Sequence, residues 1–345
     1  MYVHLVFIII FIMHLSPMLS KKILAWYDNS KRNLPWRVSK KSPKKLYYRL
    51  ISEFMLQQTQ VKTVIPYFNK FTSKYQTLES LSRINESQIL KLWEGLGYYR
   101  RAKNLLASVK LLVKEYNSKL PHTLKEIKKL PGVGDYTANA LLGFIHNEPT
   151  LAIDGNVKRV FERYLNINES KINFDKLISL NKKNLFNTNR NSDFIEALME
   201  FGALICKPKD PKCSQCCLNK SCRYLQSSRK IKISKKKKIK IMSYNIFCYV
   251  NKKKQIALTK ENKISFLRNF NLPKIKKMKN NSVGGNWKFL KNYKNSISNL
   301  HLNINLYYKF SNKIPKSYNW YALKNNKEFI PSFTKRIFNQ VSTLF

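Results

Sequence analysis

At 345 residues, 43% of them hydrophobic and with only 9 glycines and 12 prolines, the chain has room for two packed domains and is too apolar for a disordered or collagen-like polymer. Its 65 Lys and Arg against 19 Asp and Glu leave a formal net charge of +46, which argues for a polyanionic partner, nucleic acid first, held through phosphate contacts and counterion release. The wealth of Lys, Asn, Ile and Tyr also fits AT-rich coding DNA, but such a bias leaves Asp and Glu codons available and does not explain so large an excess of positive charge.

Residues 1–20, MYVHLVFIIIFIMHLSPMLS, form an apolar leader. It is short for a transmembrane span and lacks the basic start of a signal peptide. Met18 directly precedes a good helix start, so translation is expected to begin there, with a membrane anchor as the alternative.

From Lys21 to about Arg223 apolar residues recur at helical spacing, as in Tyr47, Leu50, Ile51 and Phe54 or Leu105, Leu106, Val109 and Leu112. No strand alternation interrupts them, so residues 21–223 are expected to form a mainly α domain. Within it, Glu53 is the only acidic residue between Asp28 and Glu79, and it shares a helix face with Leu50 and Gln57. Partial burial there would raise its pKa until it holds a proton near neutrality, as a general acid requires.

Leu130-Pro-Gly-Val-Gly-Asp-Tyr-Thr-Ala138 stands between helical segments, in a hairpin expected over residues 124–144. Gly132 and Gly134 permit a tight turn and a close approach of backbone to ligand, so backbone N–H groups at the second helix start can grip a phosphate without reading sequence. An ordinary αα-corner would look the same from Gly-x-Gly alone. Asp154 follows the apolar run Leu151-Ala-Ile153 and precedes Gly155-Asn156, a placement that suits either a rigid catalytic carboxylate or a helix N-cap.

Asp193 with Glu196 reads as a capping box opening a helix over Phe194–Ile205 that delivers Cys206 to a four-cysteine array, Cys206, Cys213, Cys216 and Cys222, spaced C-x6-C-x2-C-x5-C. In a reducing cytosol such thiols are metal or cluster ligands rather than disulfides. Four thiolates suit zinc as well as iron–sulfur. Cys217 and Cys248 fall outside the array.

Residues 224–240 are polar and basic, an expected linker, and 241–345 form a separate α+β domain. There Ser243–Val250 is strand-like, and Leu302, Ile304 and Leu306 alternate with polar neighbours as in a half-buried strand.

Three further stretches complete a set of ordered motifs: Leu34-Pro-Trp-Arg37, Ser52-Glu-Phe-Met-Leu-Gln-Gln-Thr-Gln-Val61 and Ile153-Asp-Gly-Asn-Val-Lys-Arg-Val160. With the hairpin and the cysteine array they resemble the MutY-type adenine DNA glycosylases of the endonuclease III, helix-hairpin-helix superfamily, nearly continuously from Lys21 to Arg223. The resemblance implies a helical glycosylase fold with a [4Fe–4S] cluster on the four cysteines. It implies Glu53 as the acid at adenine N7, Asp154 as the carboxylate stabilising a cationic sugar, and Asn156 as its support. Tyr136 stands where bifunctional members carry a Schiff-base lysine, which implies a monofunctional enzyme leaving an abasic site.

Base excision from a duplex requires flipping the nucleotide and filling the gap; the Gln-Gln-Thr and Gly-Leu-Gly-Tyr-Tyr motifs that do so in the family match Gln57, Gln58, Tyr98 and Tyr99. The implied partner is double-stranded DNA carrying adenine opposite 8-oxoguanine or guanine, bound by a cytoplasmic, nucleoid-associated monomer. Beyond the linker the likeness thins. A Nudix-like domain that reads 8-oxoguanine through a Phe-Ser-His strand has its counterpart in Ile297-Ser298-Asn299, with Ser298 retained, His301 nearby and only a faint aromatic-Pro echo at Phe270-Asn-Leu-Pro273. No Nudix hydrolase box is present, so this domain is expected to be a reader rather than a second enzyme.

Overall fold

The helical spacing of the first two-thirds of the chain is realised in a computed structural model that describes residues 14–168, 172–228, 231, 239–262, 264, 267–268, 270–278, 286–297, 300–324 and 328–345. The helices are α1 (Met18–Ser30), α2 (Lys45–Leu56), α3 (Val61–Lys74), α4 (Leu78–Ser82), α5 (Glu86–Leu92), α6 (Arg100–Glu115), α7 (Leu124–Ile127), α8 (Asp135–His146), α9 (Gly155–Leu165), α10 (Phe174–Leu180), α11 (Lys182–Leu185), α12 (Asn191–Leu204), α13 (Arg223–Gln226) and α14 (Ser332–Val341). Among the described residues no helix is long and apolar enough to cross a membrane. Residues 1–13 lie outside the described set, whereas Leu15 is fully buried, with its N–H on Asn181 Oδ1 at 2.7 Å and its carbonyl accepting from Asn184 Nδ2 at 2.9 Å.

Two compact units emerge: Met1–Ile84 with Arg100–Ser234, and Asn85–Tyr99 with Lys235–Phe345. In the first unit, α1, α8, α9 and α12 enclose a core that includes Tyr27, Phe144, Phe161, Phe194 and Phe201. Helix α2 is buried almost all round, because Tyr47, Leu50, Ile51, Phe54 and Met55 cover one broad face while Arg49, Ser52 and Glu53 are also turned inward. Polar side chains on so deep a helix must find partners or change protonation state.

The capping box expected from Asp193 and Glu196 is not formed. Helix α12 starts earlier, at Asn191, with Arg190 at its N-cap and no side-chain cap. Asp193 instead accepts from Arg190 Nε at 2.7 Å and pairs with Lys40 at 3.1 Å. Glu196, one turn further on, points inward to Arg37 Nε at 2.9 Å. Both carboxylates are captured by arginines, which outcompete a neutral backbone N–H as donors.

In the second unit the strands are β1 (Lys240–Val250), β2 (Gln255–Leu258), β3 (Lys274–Lys277), β4 (Lys288–Ile297), β5 (Leu300–Phe310) and β6 (Asn319–Ala322). They pair in the order β4-β5-β1-β2-β6, with β3 also on β1; β1 and β5 run parallel, and the other pairs are antiparallel. The alternation read at Leu302, Ile304 and Leu306 is that of β5, where these three are buried and His301 and Asn303 exposed. Helix α14 seals the core with Phe333, Ile337, Phe338 and Val341, each burial favouring the fold by roughly 1.5–3 kcal/mol.

Helical spacing groups residues 85–99 with the helical domain, but they cluster with the second unit. Glu94 Oε1 accepts the Ile330 N–H at 3.0 Å and its other oxygen pairs with Lys335 at 3.1 Å. Tyr99 packs edge-on to Phe329 and Phe270, its hydroxyl 2.8 Å from Ser332 Oγ and accepting the Ser332 N–H at 2.9 Å.

Candidate active site

Helix α2 carries Glu53 into the interior of the first unit, where the residue is 5% exposed. Burial pushes its carboxyl up to about 7, a neighbouring Asp154 pushes the same way, and Arg49 one turn earlier together with the adjacent Tyr136 hydroxyl, which also lies 3.8 Å from Met199 Sδ, pulls it down. Desolvation wins, because a carboxylate removed from water is costlier than these partners can offset. Tyr136, from the first turn of α8, is itself held well above the ordinary phenol range by burial and by the two carboxylates beside it. Glu53, Tyr136 and Asp154, from three elements distant in sequence, therefore meet.

Asp154 is the N-cap of α9. Its Oδ1 accepts from Asn156 N–H at 2.9 Å and Val157 N–H at 2.8 Å, and its Oδ2 from Asn156 Nδ2 at 2.8 Å. The capping role and a rigid placement of the carboxylate are here the same arrangement, since the helix start fixes both of its oxygens. Asn156 Oδ1 accepts in turn from Arg159 at 2.7 Å, and Arg159 donates to the Gly202 carbonyl at 2.8 Å and the Cys206 carbonyl at 2.7 Å. Gly202 allows this approach: a Cβ there would lie 2.7 Å from the Asn156 Cβ.

Behind Glu53 lies a network that the sequence reading did not single out. Glu196 accepts a short hydrogen bond from Tyr27 and forms ion pairs with Arg37 Nε at 2.9 Å and, more closely, with Arg49. Glu200 takes Arg32 in a fork, Nε and Nη2 each at 2.7 Å, and Arg37 Nη2 at 3.1 Å. Glu196 and Glu200, four apart on the apolar stretch that follows Asp193, were the available signal, together with Arg37 in the Leu-Pro-Trp-Arg stretch.

The hairpin turn is formed. Gly132 has φ +80°, and a Cβ there would sit 2.5 Å from Asn104 Nδ2, so its backbone and its neighbour both require glycine. Gly134, the N-cap of α8, is exposed and extended, makes no side-chain cap and has open space where a Cβ would stand. The α8 start thus presents its N–H groups with no side-chain cap, and the one carboxylate of its first turn, Asp135, is paired with Lys128.

Gln57 ends α2, half-buried, and Gln58 beyond it is exposed with φ +56°. Arg101 Nη1 braces this helix end through the carbonyls of Phe54, Met55 and Gln57, at 3.2, 2.7 and 2.6 Å. In the second unit, Tyr98 is 40% exposed with φ +49°, while Tyr99 is buried. Left-handed backbone costs a non-glycine residue about 1–2 kcal/mol, so both exposed side chains are displayed by strained turns. Ser298 and Asn299 lie outside the described residues.

Cys206, Cys213, Cys216 and Cys222 are half-buried and none forms a disulfide. Cys206 Sγ accepts from Arg163 Nη1 at 3.4 Å, Cys222 Sγ donates to the Arg163 carbonyl at 3.5 Å, and the four thiols lie near enough to influence one another's charge. As the side chains are placed, no group of three or more His, Cys, Asp or Glu among the described residues converges on a single metal ion.

The family model of HhH-GPD superfamily base excision DNA repair proteins matches residues 51–182, the span that contains Glu53, Tyr136 and Asp154. Among solved structures, a thermostable thymine-DNA glycosylase aligns with TM-score 0.54 and 29% identity over 61% of this chain and 95% of its own. The adenine DNA glycosylase of Buchnera aphidicola subsp. Schizaphis graminum (strain Sg) is 35% identical over 333 residues, 90% of this chain and 94% of that protein. That of Buchnera aphidicola subsp. Baizongia pistaciae (strain Bp) is 36% identical over 330 residues, 88% and 90% of the two chains. Likeness of this depth, running through both units and not the helical one alone, means that the chain belongs to the adenine DNA glycosylases of the HhH-GPD superfamily.

Proposed function

We propose that the protein removes adenine mispaired with 8-oxoguanine or guanine from double-stranded DNA as a monofunctional glycosylase. The observation that carries this reading is Glu53, buried, raised to about 7, and adjacent to the Tyr136 hydroxyl and Asp154. A carboxyl at that value is half protonated at neutral pH, the best compromise between holding and giving a proton. Glu53 protonates N7 of the flipped adenine, the N9–C1′ bond breaks with its electron pair passing to the purine, and the anionic Asp154 stabilises the cationic sugar. Water then adds at C1′ and passes a proton to the Glu53 carboxylate, which restores the acid. Asn156 and Arg159 keep Asp154 in place.

Tyr136 offers a phenol, not an amine, at the hairpin, and its hydroxyl lies beside Glu53, which favours hydrolysis over covalent attack on the sugar. Gly132, Gly134 and the α8 start would hold a phosphate, and Gln57, Gln58 and Tyr98 would fill the gap in the stack. The four cysteines suit a [4Fe–4S] cluster in donor chemistry, being unpaired thiols gathered on one loop with a guanidinium against one of them. Such a cluster would supply a cross-link that braces the basic loop. The second unit is read as a Nudix-like reader of the base opposite adenine, in which Ser298 would take part.

Single-turnover cleavage of duplexes carrying A:8-oxoguanine, A:G and A:T, each with and without alkali, tests base choice and strand scission together. Adenine release from the first two, with strand breaks only after alkali, is expected. Release from none would defeat the reading, and breaks without alkali would defeat its monofunctional part in favour of a glycosylase/lyase.

A further inference from the structure

We propose that Arg49 is a positioning residue for the acid: clamped on Glu196 and Phe144, it keeps one positive charge fixed a helical turn from Glu53 and so sets the upper pH at which the enzyme works. The inference rests on the reading of Glu53 as the proton donor.

Arg49 is 7% exposed, and nothing about packing alone calls for a guanidinium inside so apolar a helix. Its place is nevertheless defined on two sides. One terminal nitrogen forms an ion pair with Glu196, and the guanidinium carbon stands 4.6 Å from the centre of the Phe144 ring. Its Nε is buried with no hydrogen-bond partner among the described residues, so the group is not there to satisfy a hydrogen-bonding network completely.

Charge counting shows what is left over. Glu196 and Glu200 are shared among Arg32, Arg37 and Arg49, two negative charges against three positive. The surplus falls at the Arg49 end, since Glu196 is already held by Arg37 and Tyr27. The groups facing Glu53 are Arg49 on its own helix, Tyr136 from α8 and Asp154 from the start of α9. Those facing Arg49 are Glu53, Arg37, Tyr27 and Asp193, besides Glu196 and, one turn earlier on its own helix, Lys45. Among the described groups facing Glu53, Arg49 alone carries a positive charge, and in a dry setting that charge acts with little screening. It opposes the burial that would otherwise hold the carboxyl proton too tightly to be given up at neutral pH.

The test is the pH profile of single-turnover adenine release from an A:G duplex, with enzyme in saturating excess so that DNA affinity drops out. Activity falls on the alkaline side as Glu53 loses its proton. Arg49→Gln, which keeps a polar contact for Glu196 without the charge, and Arg49→Met should move that fall upward by about 1 pH unit. Arg49→Lys should return it to the wild-type position. A rate lowered equally at every pH, with the alkaline fall unmoved in Arg49→Gln, would reduce Arg49 to a structural role and overturn the inference. Should Arg49→Met not fold, the Gln and Lys variants carry the comparison. Glu53→Gln, measured alongside, separates the two levels: full activity there would sink the acid assignment itself, whereas an inactive Glu53→Gln with an unmoved Arg49→Gln profile sinks only the inference.

Discussion

Two glutamates of the helical unit are about equally hidden from water and have opposite acid strengths. Glu53 is 5% exposed and raised to about 7, while Glu200 is 2% exposed and lowered to about 2. Burial raises both. The difference is in the partners: Glu200 accepts two bonds from the Arg32 side chain, one from the Arg32 N–H and one from Arg37, whereas Glu53 has a phenol and one guanidinium that is already committed to Glu196. A buried carboxylate with a full set of charge-assisted bonds stays ionised and ties elements together; one left short of them keeps a proton available for chemistry.

The largest effect that would sharpen this contrast is on rate. Glu53→Gln keeps the shape and the Tyr136 contact but removes the transferable proton, so single-turnover adenine release should fall about 10²–10⁴-fold with the thermal midpoint unchanged or higher. A variant that keeps its rate would place the proton donor elsewhere. Glu200→Ala should do the reverse. It leaves Arg32 without its carboxylate and takes one of two from the largely buried Arg37, and breaking such buried pairing costs up to about 3–5 kcal/mol, read as a lowered denaturant midpoint at neutral pH. Loss of rate without loss of stability in that variant would break the comparison, because Glu200 would then be acting in the chemistry.

Much of this was legible before the structure. The helical period of residues 21–223 and the β5 alternation follow from which side chains must leave water, a local property of the sequence. Isolation of Glu53 among apolar neighbours was enough to anticipate a raised carboxyl. What the chain could not disclose was pairing at long range. Glu196 looks like the end of a capping box until Tyr27, Arg37 and Arg49, from two helices and the loop between them, are found on it. The strained display of Gln58 and Tyr98 is likewise invisible, because neither residue type announces a left-handed backbone as glycine or asparagine would. Assignment of Asn85–Tyr99 to the sheet unit depends on partners more than two hundred residues away.

The subtlest difference between the two glutamates is in how each couples folding to pH. Glu53 is raised in the fold from 4.5 to about 7, so its contribution to stability is complete below about pH 4.5 and is lost as pH climbs through 7, where ionising it costs more folded than unfolded. Glu200 is lowered from 4.5 to about 2; its contribution is complete above about pH 4.5 and is lost as pH falls through 2. Subtracting the stability of Glu53→Gln from that of the wild type should therefore give a difference that declines between pH 4.5 and 7. The same subtraction for Glu200→Gln should give one that grows between pH 2 and 4.5 and is flat above. Denaturant titrations across pH 2–8 measure both curves. Equal slopes for the two variants would mean that burial governs both carboxyls alike and that the arginines around Glu200 do not distinguish it from Glu53.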